Sequence, residues 1–164
     1  MVIKLLSILL FTIQLIFTSV TGDGWMHYDQ AQWSNDFNGL ETNIEEVVMS
    51  NHAKFLYEDG TEAEKPAIGV VFQLQNTTDR AFRFHTPTLL TNTGESINWA
   101  VDVSDNLSGE IQGGETKEAL LVWYLEESNI DQIESIKLFW TVYDGEFADT
   151  DKVTEKYEVE LELK

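Results

Sequence analysis

No cysteine occurs anywhere in the 164 residues. That excludes disulfide staples, thiolate metal sites, a cysteine nucleophile and a lipid anchor on an N-terminal cysteine. A domain without such staples must stand on its core, for which 43% hydrophobic and 12% aromatic residues suffice. Positive charge is nearly as scarce. Ten Lys and Arg stand against 29 Asp and Glu, a formal net charge of -19. Such a field repels phosphate backbones, and the closest basic pair, Arg80 and Arg83, makes no patch, so no nucleic-acid partner is expected. Only three histidines are present, His27, His52 and His85. They show no H-x-H or H-E-x-x-H spacing, so neither zinc nor a histidine-based triad is expected, and each reads as structural or solvated. After residue 22 no sustained helical periodicity exists, which excludes a helical bundle and an α/β fold.

Long hydrophobic runs are equally rare, and the first one carries an address. Lys4 precedes Leu5 to Val20 (LLSILLFTIQLIFTSV), an uncharged run that ends in Thr21-Gly22-Asp23. A positive start, an apolar stretch and a small-residue exit make a secretory signal peptide of residues 1–22, cleaved after Gly22 or retained as an anchor. Residues 23–164 are then expected outside the cytoplasm, secreted or associated with the cell envelope. Membrane contact is expected only through that first segment. Export without cysteine points to a bacterial protein.

The remainder reads as strands. In Ala67 to Phe84 (AIGVVFQLQNTTDRAFRF), Ile68, Val70, Phe72 and Leu74 alternate with Gly69, Val71 and Gln73. Asn76-Thr77-Thr78-Asp79 supplies a turn before Phe82 and Phe84, which predicts a central hairpin-like pair. Upstream, Trp25 to Trp33 predicts an edge strand or ordered leader, and Asn38-Gly39 a turn. A strand from Leu40 to about Met49 changes apolar parity at Val47, which predicts a bulge. Ser50 to Pro66 reads as a hydrophilic loop. Downstream, Asn92-Thr93-Gly94-Glu95 is a hairpin turn, and its return strand SINWAVDV puts Ile97, Trp99, Val101 and Val103 on one face. Ala119 to Leu125 reads as a strand buried on both faces. Ile130 and Ile133 allow one helical turn crossing between sheets. Ile136 to Val142 and Tyr157 to Leu163 alternate as the last two strands. Short strands with turn signals about every eight to twelve residues predict an antiparallel sandwich or barrel rather than an α/β fold, and of the two the sandwich is expected.

Chemistry is harder to find. Asp102, Asp105 and Glu110 gather acids in one loop, and Asp144, Glu146, Asp149 and Asp151 do so in another, but neither has calcium-loop register. No metal and no cofactor is expected, and no carboxylate pair stands out for hydrolysis. Five tryptophans raise a binding hypothesis, since exposed aromatics stack on sugar rings. Trp99 and Trp140 lie on the apolar parity of their strands and read as core; Trp123 sits in a run apolar on both sides. The candidate ligand or partner patch is therefore Trp25, Trp33, Phe139 and Tyr143, the last two sharing a strand face with Lys137 and Thr141.

One resemblance adds to this. The strand ending in Gln75-Asn76-Thr77-Thr78-Asp79, then Pro87 with Leu89 and Leu90, Thr93-Gly94-Glu95, and Gly113-Gly114-Glu115-Thr116 before ALLVWYL follow one another in order. This order resembles the small exported Ig-like domains of unknown function in Gram-positive bacteria and mycobacteria, over roughly the last two-thirds of the chain. Gly113 stands where a proline is usual there. The resemblance implies an Ig-like β-sandwich and residence outside the cytoplasm, with no reaction and no site residues. The expected fold is thus an all-β, antiparallel Ig-like sandwich after an N-terminal signal helix. The expected role is a non-catalytic binding module for an envelope or secreted protein. The alternatives are a carbohydrate-binding module, an immunity-type protein and a hydrolase.

Overall fold

Period-two alternation sorts the chain into strands whose apolar faces have nowhere to go but against each other. The computed structural model describes residues 24–104, 106–107, 109–145 and 153–164; the signal-peptide reading of residues 1–22 lies outside them. No helix among the described residues is long and apolar enough to cross a membrane.

The first sheet holds β1 (Met26–Tyr28), β2 (Trp33–Phe37), β3 (Leu40–Leu56), β4 (Glu62–Asn76), β8 (Val101–Asp102) and β10 (Thr116–Tyr124). The second holds β5 (Phe82–Phe84), β6 (Thr88–Thr91), β7 (Ser96–Ile97), β9 (Glu110–Ile111), β11 (Ser135–Asp144) and β12 (Val153–Glu162). All pairings are antiparallel, and the two sheets form a sandwich. β1 and β2 lie end to end along one edge of β3, followed by β4, β10 and β8. In the other sheet β11 is flanked by β12 on one side and by β6 and β5, end to end, on the other. Pro87, which has no N–H to donate, falls in the gap between β5 and β6.

Between the sheets Phe72, Phe84, Trp33, Trp140 and Tyr157 form one aromatic cluster. Trp140 stacks on Tyr157 with centroids 4.8 Å apart, and Trp33 meets both edge-on at 5.4 Å. Tyr157 donates its hydroxyl to Asn35 Oδ1 at 2.9 Å, which satisfies the polar end of a buried ring. A second, smaller apolar layer covers the outer face of the first sheet: Val48, Ala53, Ala67, Val71, Leu120 and Val122, with Trp25, Val103 and Tyr124 packed on it. That layer explains why β4 and β10 are apolar on both faces, as ALLVWYL predicts.

Several expectations hold at the level of single residues. The register of β3 on β4 shifts between Ile44 and Glu46, where the parity change predicts a bulge. Asn38 and Gly39 adopt φ of 54° and 95°, the left-handed pair that a two-residue hairpin needs. A single 3-10 turn, η1 (Ile130–Gln132), crosses between the sheets with Ile130 and Ile133 buried, and Asn129 caps it.

Three expectations are corrected. β4 and β5 are not a hairpin; they belong to different sheets, and Asn76 to Ala81 is a crossover. Asn76 explains it. Its buried amide donates to the carbonyls of Arg80, Ile111 and Gln112 at 2.6, 3.2 and 3.1 Å, and its Oδ1 accepts from the Thr78 amide and hydroxyl. Those bonds replace the ladder that the chain leaves behind. Gly113 closes the same corner, since a Cβ there would lie 2.8 Å from the Asp79 backbone. Second, Ser50 to Pro66 is not a loop. β3 runs on to Leu56 and β4 begins at Glu62, so the two make a projecting ribbon that turns at Tyr57 to Thr61. Lys65 supports it from within, its ammonium lying over the Phe55 and Tyr57 rings and pairing with Glu126. Third, SINWAVDV is not one strand. It splits into β7 in one sheet and β8 in the other, and the crossover Asn98–Ala100 turns Trp99 outward.

Candidate functional site

The residues named for a binding patch do not meet. Trp25 packs on the outer layer of the first sheet, whereas Trp33 sits edge-on against the stacked Trp140 and Tyr157 rings. Phe139 and Tyr143 share the outer face of the second sheet, four residues apart on β11. Tyr143 is contacted there by Arg83, 4.7 Å from its ring, and by the tilted His85 ring at 4.9 Å. Burial and the Arg83 charge hold His85 below its ordinary pKa, so it is neutral and packs as a ring. His27 and His52 lie 2.6 and 2.9 Å from Glu46 and Glu64 on the surface.

Trp99 is where the structure puts an aromatic to use. Its side chain is 69% exposed, more than any other large aromatic described. It stands at a groove of about 580 Å³ between the β7–β8 crossover, the end of β10 and the β3–β4 ribbon. Phe55 and Tyr124 wall the far side, their centroids 4.9 Å apart and the rings edge to face. Ile97 adds aliphatic surface, and Asn98, Glu126 and Glu127 add polar groups. Sequence parity assigned Trp99 to the core. The assumption that failed was an unbroken strand, and the Gly-free SINWAVDV run gives no warning of the break.

Glu95 builds the groove's floor. Its carboxylate accepts from the backbone amides of Glu126, Glu127 and Ser128 at 2.6, 3.2 and 2.8 Å, which ties the β6–β7 hairpin to the turn after β10. Burial would push its pKa up, but these hydrogen bonds and the Ser128 hydroxyl outweigh it and hold the group below the ordinary glutamate value. The carboxylate is therefore ionised and its lone pairs are occupied. It shapes the site rather than offering an acid or base.

Another carboxylate behaves oppositely. Glu118 on β10 lies opposite Gln73 on β4, on the outer face of the first sheet. Desolvation first, then the charge of Glu45, push its pKa up to about 7, against a weaker pull from the Gln73 hydrogen bond. Glu45 is itself raised by burial and by Glu46. Beside them lies a second open hollow of about 590 Å³, lined by Gln32, Trp33, Ser34, Asn43, Ile44 and Glu45. It presents no exposed ring, since Trp33 is held against the core.

The described aspartates of the two acidic loops have partners of their own. Asp102 spends its carboxylate on the amides of Ser104 and Leu107 and the Ser104 hydroxyl. Asp144 binds Asn38 and Arg80, each at 3.2 Å. Asp105, Glu146, Asp149 and Asp151 lie outside the described residues. Among the described residues no group of three or more His, Asp or Glu is placed to hold a metal ion.

With the geometry in view, comparison defines the chain as an antiparallel β-sandwich of a kind already seen in solved structures. No family model matches it, and no curated protein does. A functionally unknown protein from Listeria monocytogenes EGD-e superposes with a TM-score of 0.57 at 12% identity, over 91% of this chain and 93% of that one. A conserved hypothetical protein from Bacillus anthracis gives 0.48 at 15% identity, over 74% and 94%. The Listeria structure shares the fold, and the likeness stops there.

Proposed function

We propose that the protein is a non-catalytic binding module of the bacterial cell envelope and that the Trp99 groove is its binding surface. One observation carries the reading: a large indole, placed by a crossover that breaks a strand, stands in water at the mouth of a concave, aromatic-lined groove. Leaving it there forgoes roughly 2 kcal/mol of burial, and a ligand stacked on it would recover that. The groove's volume falls within the range of sites that take a small molecule or a few peptide side chains. Its best-held carboxylate, Glu95, is committed to backbone amides, which supports binding over proton transfer. Export rests on the sequence of residues 1–22, and the turn motifs shared with small exported Ig-like domains agree with it.

A carbohydrate reading has one specific support, because the flat exposed face of Trp99 beside Asn98 and Glu127 suits a sugar ring and its hydroxyls. A glycan array and an envelope extract, each probed with the purified protein and with Trp99→Ala, test both readings. Every genuine binding signal should weaken in the variant; signals that survive it unchanged would sink the groove as the binding surface.

A further inference from the structure

We infer that the groove selects a cationic ligand, a short extended peptide bearing lysine or arginine; the inference rests on reading the Trp99 groove as the binding site. The ionisable side chains that line the groove as carboxylates are Glu95, Glu126 and Glu127, and no lysine or arginine lines it. Glu95 is saturated by backbone amides and Glu126 is paired with Lys65, so recognition falls to Glu127 together with the Trp99 face. The chain's own Lys65 shows how this wall takes an ammonium group. Its Nζ lies 2.6 Å from Glu126 Oε1, 4.7 Å over the Phe55 ring and 5.5 Å over that of Tyr57. That is charge pairing and cation–π contact, and two of the groups, Glu126 and Phe55, also wall the groove. Trp99, the best cation–π partner among side chains, faces the same hollow with Glu127. A net charge of -19 draws a basic ligand from a distance, and a concave wall concentrates that field.

The ribbon argues for a peptide rather than a small polyamine. β10 ends at Tyr124 opposite Ala67, while β4 begins five residues earlier at Glu62. Among the described residues Glu62–Lys65 therefore has β3 on one side and no strand on the other. That open edge carries backbone donors and acceptors that an extended chain can match, and its Lys65 reaches Glu126 and Phe55, both of which line the groove.

Calorimetric titration of the purified protein with a capped Gly-Lys-Gly-Arg-Gly peptide tests this, with Gly-Glu-Gly-Glu-Gly, spermidine and chitotetraose as comparison ligands. The basic peptide should bind, and its affinity should fall about tenfold in Trp99→Ala and about fivefold in Glu127→Gln, which leaves the Lys65–Glu126 pair intact. The charge-matched Glu158→Gln control, on the outer face of the second sheet, should stay within about twofold. Melting curves check that each variant folds. No binding of the basic peptide, an equal loss in the remote control, or spermidine binding as tightly as the peptide would each overturn the inference. Chitotetraose binding that depends on Trp99, without peptide binding, would overturn the cationic ligand yet keep the groove. If no ligand shows any dependence on Trp99, the groove fails with it.

Discussion

Trp140 and Trp99 are the same residue at the same kind of sequence position, each on the apolar parity of an alternating run, and they end in opposite places. Trp140 is 4% exposed and Trp99 is 69% exposed. The difference lies in what the backbone does around them. β11 keeps its ladder for ten residues, with β12 on one side and β6 and β5 on the other, so parity fixes the face for all of them. The chain around Trp99 makes only two residues of β7 and two of β8 before changing sheets. Parity holds only as long as the strand does. A tryptophan that the core does not require, at a point where the chain leaves one sheet for the other, is left in solvent, as the proposed binding role needs.

The comparison can be broken first at its buried end. Trp140→Ala removes a ring that stacks on Tyr157 and meets Trp33, Phe72 and Phe84, and should cost about 4 kcal/mol in urea or thermal unfolding. A loss under about 1 kcal/mol would mean that the sandwich core is not packed as described.

The two crossovers sharpen it next. At the β4–β5 crossover every bond of the Asn76 side chain goes to the protein itself, whereas the β7–β8 crossover sends its largest side chain into water. Asn76→Ala should cost about 3 kcal/mol, since it strands buried carbonyls, and should lower the melting temperature by roughly 10 °C. Asn76→Asp cannot donate to those carbonyls and should fare no better. Wild-type stability in either variant would show that the corner is held by something else.

Much of this fold was legible in the sequence. The last two strands, the Asn38-Gly39 turn, the parity change at Val47 and the Ile130 crossover follow from side-chain period and turn chemistry, which act locally. The crossovers were not legible, because a turn signal such as Asn76-Thr77-Thr78-Asp79 says that the chain bends and not which sheet it joins. The ribbon was missed because Glu62-Ala63-Glu64-Lys65 is polar on a stretch where neither face is fully covered, so hydrophilicity passed for a loop. The binding candidates went astray for the complementary reason. Trp33 lies on a short polar strand, yet a distant Trp140 buries much of it.

Two carboxylates offer a gentler test, because they pull stability in opposite directions. Glu95 has its pKa lowered in the folded state, so its contribution is present above the unfolded value and is lost as pH falls through the folded one. Glu118 is raised to about 7, so the folded protein binds a proton that the unfolded chain releases near 4.5. Its effect is to make stability decline as pH rises across that window. Glu118→Gln should flatten the stability profile between those values, and Glu95→Gln should flatten the acid side below them. Unchanged slopes in Glu118→Gln would mean that the group is solvated and titrates normally.

The smallest effect is expected where the argument for function is strongest. Trp99 stands largely in solvent, so Trp99→Ala should change folding stability by no more than about 0.5 kcal/mol, against several for Trp140→Ala. The measurement is paired denaturation of the two variants under one set of conditions. A loss of about 2 kcal/mol or more at Trp99 would mean that the indole is a lid packed on its own groove in solution. Its exposure would then reflect a mobile structural ring, and the groove would lose its claim to bind. Near-neutral stability with lost binding is the separation that only a surface held ready for a partner would give.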